Sequence, residues 1–176
     1  RESTRFAREA QRLWSYKQFL LALHAAEAAH ALDPNNLDRQ ALLAQSLLKY
    51  AFHLVNPQGT PGIEQPTHPP VEPNTMRASL GLARRGLETR AHTLSRLPRV
   101  RSDLLADRIR NFPTQLAIRE YVYELPGIEV QGKDPDTKRL LEACRAVATE
   151  IFSEFRRAWS SVVADDLEAF NFYAFD

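Results

Sequence analysis

Few residues in this chain of 176 have the types and spacing that chemistry requires. His24, Glu27 and His30 spell H-x-x-E-x-x-H. On a helix they fan over roughly 120° of the surface, at about 100° per residue. Glu27 and His30 have the spacing of half a carboxylate-bridged di-metal site, which draws a second E-x-x-H and two more glutamates from facing helices. The sequence contains no second E-x-x-H and no H-E-x-x-H, so the three residues read as the polar edge of a helix, and no metal or other cofactor is expected. His68 and His92 lack a nucleophile partner in sequence. Asp165, Asp166 and Glu168 read as solvated charges near a helix end. Cys144 is the single cysteine. It can form neither an internal disulfide nor a cysteine-based zinc site, and it falls on the apolar face of an expected helix, as a core residue does.

The phosphate-binding and nucleophile motifs are also missing. There is no G-x-x-x-x-G-K-[ST], no G-x-G-x-x-G and no G-x-S-x-G. Six glycines in the whole chain leave little backbone for phosphate cradles. Catalytic residues are therefore not expected, and the chain reads as a non-enzyme.

Charge is unevenly spread although the net value is +1. Between Arg77 and Arg110 nine arginines face three acidic residues, whereas Arg119 to Asp176 holds seven basic and twelve acidic residues. The two regions can neutralise each other, or the basic one can meet an acidic protein surface. Nucleic acid is a weaker expectation. No aromatic residue lies between Arg77 and Arg110 to stack on bases, and arginine outnumbers lysine 19 to 4 throughout the chain.

Helices must position all these groups, because apolar residues recur at helical spacing in every long segment. The first is expected over residues 4–16 with Phe6, Ala10, Leu13 and Trp14 on one stripe. The second covers 17–32 with Phe19, Ala22, Leu23, Ala26 and Ala29 inward. Asp33-Pro34-Asn35-Asn36 breaks the chain, since proline lacks a donor and restricts its predecessor, and Asn36 can cap the third helix, to about Leu54. Residues 56–74 hold six of the eleven prolines and two glycines, and read as a surface loop. Thr75 is the expected cap of a fourth helix to about Arg96. Shorter helices follow over about 102–111 and from Pro113. Residues 128–133 suit a short extended piece. Asp134 and Pro135 open a long amphipathic helix through Ile151, Phe155 and Trp159 to Val163. The tail from Phe170 to Phe175 is aromatic. The organisation expected is a hairpin with a third helix over 1–55, the loop 56–74, and a helical region over 75–176.

Within the first unit the pattern is similar to a tetratricopeptide repeat, a pair of helices recurring every 34 residues or so. Ala10 stands where the first helix needs a small contact residue, and Phe19 stands at the aromatic opening of the second. Ala22 and Ala29 match two alanines seven apart, and Ala31-Leu32-Asp33-Pro34-Asn35-Asn36 resembles the repeat's ending. Lys17 replaces a frequent glycine and Ala26 a frequent bulky aromatic. A second, weaker match puts the delayed partner helix of the next repeat at Met76 to Thr89, with Ser79, Ala83 and Gly86 as small contacts. The resemblance is best over residues 3–36.

The fold class expected is all-α. Antiparallel helical hairpins form a repeat-like N-terminal part, and a helical bundle with a long C-terminal helix follows. Resemblance to a recognition repeat implies an interaction or scaffold module that binds a protein or peptide partner. Arg8, Gln11, Gln40 and Lys49 are the expected exposed contacts on the first and third helices, with Arg84 and Arg85 as an electrostatic contact for an acidic partner. The alternative is a regulatory or structural segment of a larger enzyme or secretion complex, since the chain starts at Arg1 and not at methionine. No run of about 18 apolar residues predicts a membrane span, and the single cysteine fits the cytoplasm.

Overall fold

A computed structural model describes residues 1–57, 70–96 and 130–162. Among them the chain is all-α, with five helices: α1 (Glu2–Ser15), α2 (Phe19–Leu32), α3 (Leu37–Val55), α4 (Pro73–Ser95) and α5 (Pro135–Val162). The expected helices over 102–111 and from Pro113, most of the proline-rich loop with His68, the cluster at 165–168 and the aromatic tail lie outside the described residues. So do the side chains of Cys144, Ile151, Phe155 and Trp159.

The helix ends follow from local chemistry. α1 stops in a Schellman motif, in which the amide of Gln18 donates to the Leu13 carbonyl and that of Lys17 to the Trp14 carbonyl, both at 2.9 Å. Lys17 takes the left-handed residue of that motif, at φ 58. It therefore cannot begin α2, which starts two residues later than the periodicity suggested. Asn36 caps α3 as expected, its side-chain oxygen accepting from the amides of Asp38 and Arg39. Asp134 does the same for α5 through the amides of Asp136 and Thr137, and these bonds, Thr137's first, hold its carboxyl below the usual range. Thr75 does not cap α4. Proline's fixed φ suits a first helical position, so α4 opens at Pro73 and Thr75 lies inside its first turn. The extended piece near 130 pairs with the end of the proline-rich loop: Val71 and Val130 form a parallel bridge, and the Gln131 amide donates to the Val71 carbonyl at 2.7 Å.

Each helix packs mainly on its sequence neighbours: α1 on α2, α2 on α3, α3 on α4 and α4 on α5. Cross-links fix the directions. Ser3 Oγ at the start of α1 donates to the Ala29 carbonyl near the end of α2, while Trp14 meets Phe19 edge-on at the other end. α1 and α2 are thus antiparallel. So are α3 and α4, joined by Ser79 Oγ to the Ala51 carbonyl and by Thr93 Oγ1 to Gln40 Oε1. α1 and α3 run parallel: Arg39 reaches Thr4, 35 residues earlier, and Lys49 Nζ lies 5.6 Å over the Trp14 ring. α2 and α4 are also parallel, tied by Arg85 to Glu27 and by Arg96 to Asn35.

Small residues let these helices approach. Ala22, Ala26 and Ala29 on α2 are fully buried, as are Ser79 and Ala83 on α4, where Gly86 completes the same four-then-three spacing. A β-carbon on Gly86 would stand 2.8 Å from Leu48 Cγ and 3.3 Å from the Ala44 carbonyl oxygen, so only glycine fits without displacement. One cluster joins Ala7, Ala10, Ala25, Ala26, Ala29 and Leu42, and another joins Leu23, Leu43 and Leu47. α3 is the centre of this core. Every residue from Gln40 to Leu48 is buried, more than two full turns.

Candidate interaction surface

The burial of α3 decides which expected contact residues can meet a partner. Gln40 cannot. It is 2% exposed, its amide donates to the Pro34 carbonyl at 2.8 Å, and the Thr93 hydroxyl lies 3.2 Å from its side-chain oxygen. Its polarity closes the α2–α3 turn and fastens α4, because a buried amide needs internal partners. The expectation of an exposed Gln40 rested on amphipathic spacing, and α3 has no solvated face there. Lys49 is half-buried, at the end of the covered stretch, with its ammonium over Trp14.

Arg84 and Arg85 are exposed but engaged. Arg84 lies 3.7 Å from Glu150 of α5, and Arg85 lies 3.2 Å from Glu27 of α2, all with side chains roughly half exposed. The other described arginines of the basic segment are engaged as well, Arg90 among them. Arg77 donates to Asn74 and Arg96 to Asn35. Arg90 is 1% exposed, and burial pushes its guanidinium down to about 9, so it stays charged at neutral pH. The positive charge of α4 thus serves contacts within the chain, including one to the acidic C-terminal half. Glu27, the middle member of the histidine motif, is held by Arg85. No group of three metal-ligating side chains occurs among the described residues.

Arg8 and Gln11 are different. Both side chains are exposed on α1, and neither has a partner among the described residues. They belong to a larger feature. Arg1, Arg5, Arg8 and Arg12 are spaced four, three and four apart, so they line one face of α1, and all are exposed. Arg5 sits 5.2 Å over the Phe6 ring. Arg12 pairs with Glu9 at 2.6 Å, which holds the Glu9 carboxyl below its usual range, and it lies 5.7 Å over the exposed Tyr16 ring. Arg8 stands between them with its guanidinium uncommitted. The row's four-three-four spacing is visible in the sequence, although residues 77–110 hold more arginines.

An exposed row of guanidinium groups, flanked by Gln11 and the Tyr16 ring, can grip carboxylates in bidentate fashion. It offers no nucleophile, general base or metal ligand set. Comparison with known protein families, with curated proteins and with solved structures found no match in any of the three. No helix among the described residues is long and apolar enough to cross a membrane.

Proposed function

We propose that this chain is a protein-binding module of tetratricopeptide-like hairpins, acting by recognition and not by turnover. The exposed face of α1 receives an acidic partner. One observation carries the reading: Arg8 and Gln11 are exposed and uncommitted on an arginine-lined face, whereas the described arginines of α4 are engaged within the chain.

The repeat-like reading draws support from the packing. The 35-residue step from Thr4 to Arg39 between parallel α1 and α3 is near the 34-residue period of these repeats. α2 and α4 carry matching buried stripes of small residues. The proline-rich segment before α4 is then an insertion between the two helices of the second hairpin.

The test compares two double variants in affinity capture with the full chain as bait. Arg5→Glu with Arg8→Glu should abolish capture of the principal partner, and raised salt should weaken capture by the wild type, since surface charge attraction is screened within about 8–10 Å. Arg84→Glu with Arg85→Glu should capture it nearly as well as wild type. Equal loss in both variants, or in the second alone, would move the site off α1.

A further inference from the structure

The arginine row of α1 is narrow, and its two borders differ. Arg5, Arg8 and Arg12 fall within about 60° of the helix surface, and Arg1, the N-cap, continues the line. From Arg1 to Arg12 the row runs about 17 Å, in steps of four, three and four residues at about 1.5 Å each. About 70° to one side stand Glu2, exposed, and Glu9, half-buried. About 80° to the other side stand Thr4 and Gln11, exposed and uncharged. The positive ridge is one side chain wide.

That width limits what can dock. A broad negative surface, such as a bilayer of acidic lipids or a nucleic-acid backbone, would set negative charge against Glu2 and Glu9 as well as against the arginines, and like charges in apposition are unfavourable. The row's own chemistry suits carboxylates. Arg12 donates to the Glu9 carboxylate through Nε at 2.9 Å and through a terminal nitrogen at 2.6 Å, the two-pronged grip that the row can offer an incoming acid. Stacking of Arg5 over Phe6 and of Arg12 over Tyr16 restrains both guanidinium groups beforehand, which lowers the ordering cost of binding. The step length sets a second limit. Acids on one face of a helix, three and four residues apart, repeat the steps of the row. Acids on one face of a strand recur about every 6.7 Å and drift about 3–4 Å out of step over four arginines.

We infer that the acidic partner of α1 is itself helical and presents a single row of carboxylates, spaced four, three and four residues apart, along Arg1, Arg5, Arg8 and Arg12. The inference rests on the reading of α1 as the docking face and adds the form of the partner. Glu2 and Glu9 set the specificity, because they turn away partners whose negative charge spreads beyond one row.

The test uses the full chain and three labelled peptides of about 18 residues, alanine-rich and blocked at both ends, each with four glutamates. In the first the glutamates are spaced four, three and four. In the second they point to all sides of the helix. The third keeps the first spacing but carries central prolines that abolish the helix. Fluorescence anisotropy at about 20 mM salt should show the first peptide binding about tenfold more tightly than either of the others. Arg5→Glu with Arg8→Glu should remove that binding. Glu2→Gln with Glu9→Gln should bring the second peptide to within about threefold of the first, and helical circular dichroism should be unchanged in both double variants. Equal binding of the three peptides, lost on charge reversal at Arg5 and Arg8, overturns the helical row but leaves α1 as the docking face. Failure of the first peptide to bind overturns the proposal, and the capture comparison of the α1 and α4 variants then decides the reading beneath it. Binding that survives the reversal overturns both. Cosedimentation of the chain with vesicles of equal phosphatidylcholine and phosphatidylserine, dependent on Arg5 and Arg8, overturns the proposal in favour of a membrane surface.

Discussion

Gly86 of α4 lies against Leu48 of α3 so closely that an added β-carbon would come 2.8 Å from Leu48 Cγ. Gly86→Ala should therefore destabilise the protein although alanine is the better helix former. Overpacking a tight contact costs about 1–3 kcal/mol, and the propensity gain of about 1 kcal/mol offsets only part of it. Urea unfolding should show a lower midpoint at constant slope. A stabilised variant would mean that α3 and α4 separate easily.

Lys17 presents the opposite case. It holds the left-handed position of the Schellman motif between α1 and α2, where a β-carbon is unfavourable by about 1–2 kcal/mol. Lys17→Gly relieves that strain but adds freedom to the unfolded chain. The net expectation is a gain of about 0.5–1 kcal/mol, read as a higher thermal midpoint. A loss would show that the lysine side chain makes a stabilising contact of its own.

Reversing Arg84 and Arg85 to glutamate should leave the fold intact. Both pairs are exposed, and such pairs contribute about 0–1 kcal/mol each. Thermal unfolding should shift by a few degrees at most, and less at high salt. Global unfolding would mean that the pairs hold α4 in place far more strongly than their exposure permits.

His53 gives the protein a pH dependence with a definite sign. It packs on the Phe19 ring at 5.0 Å, and partial burial lowers its pKa below the ordinary imidazole value. The unfolded chain then binds the proton more readily than the folded one. This contribution is complete above the ordinary value of about 6.5 and is lost as pH falls through it towards the lowered folded value. Thermal unfolding should accordingly ease between pH 7.5 and 5, and His53→Gln should flatten that window. An unchanged slope in the variant would assign the effect to other groups.

Much of this architecture was legible beforehand because local chemistry governs it. Asn36 and Asp134 cap the helices they precede, and the alternation of small and large residues at Ala22, Ala26 and Ala29 marks a face of close approach. Two helix starts differ from the sequence expectation: Thr75 has the chemistry of a cap but proline's fixed φ opens α4 at Pro73, and the apolar period reaches Lys17 but its left-handed conformation delays α2. The burial of Gln40 is not visible in the pattern of one helix, which cannot reveal how many neighbours surround it; from Gln40 to Leu48 α3 is covered on every side. The contacts of Arg84 and Arg85 are with Glu150 and Glu27, partners distant in sequence that the spacing of one helix does not reveal.

Docking of an acidic partner on the arginine-lined face of α1 can be read by site-specific photo-cross-linking. Gln11→p-benzoylphenylalanine places the probe beside Arg8 on that face, and Lys138→p-benzoylphenylalanine places it on the exposed first turn of α5. In extracts from its own cells, the chain probed at Gln11 should trap one discrete acidic protein, and the adduct should vanish when Arg5 and Arg8 are reversed to glutamate. The chain probed at Lys138 should not trap it. The same adduct from both positions, or one from Gln11 that survives the charge reversal, would contradict recognition through α1.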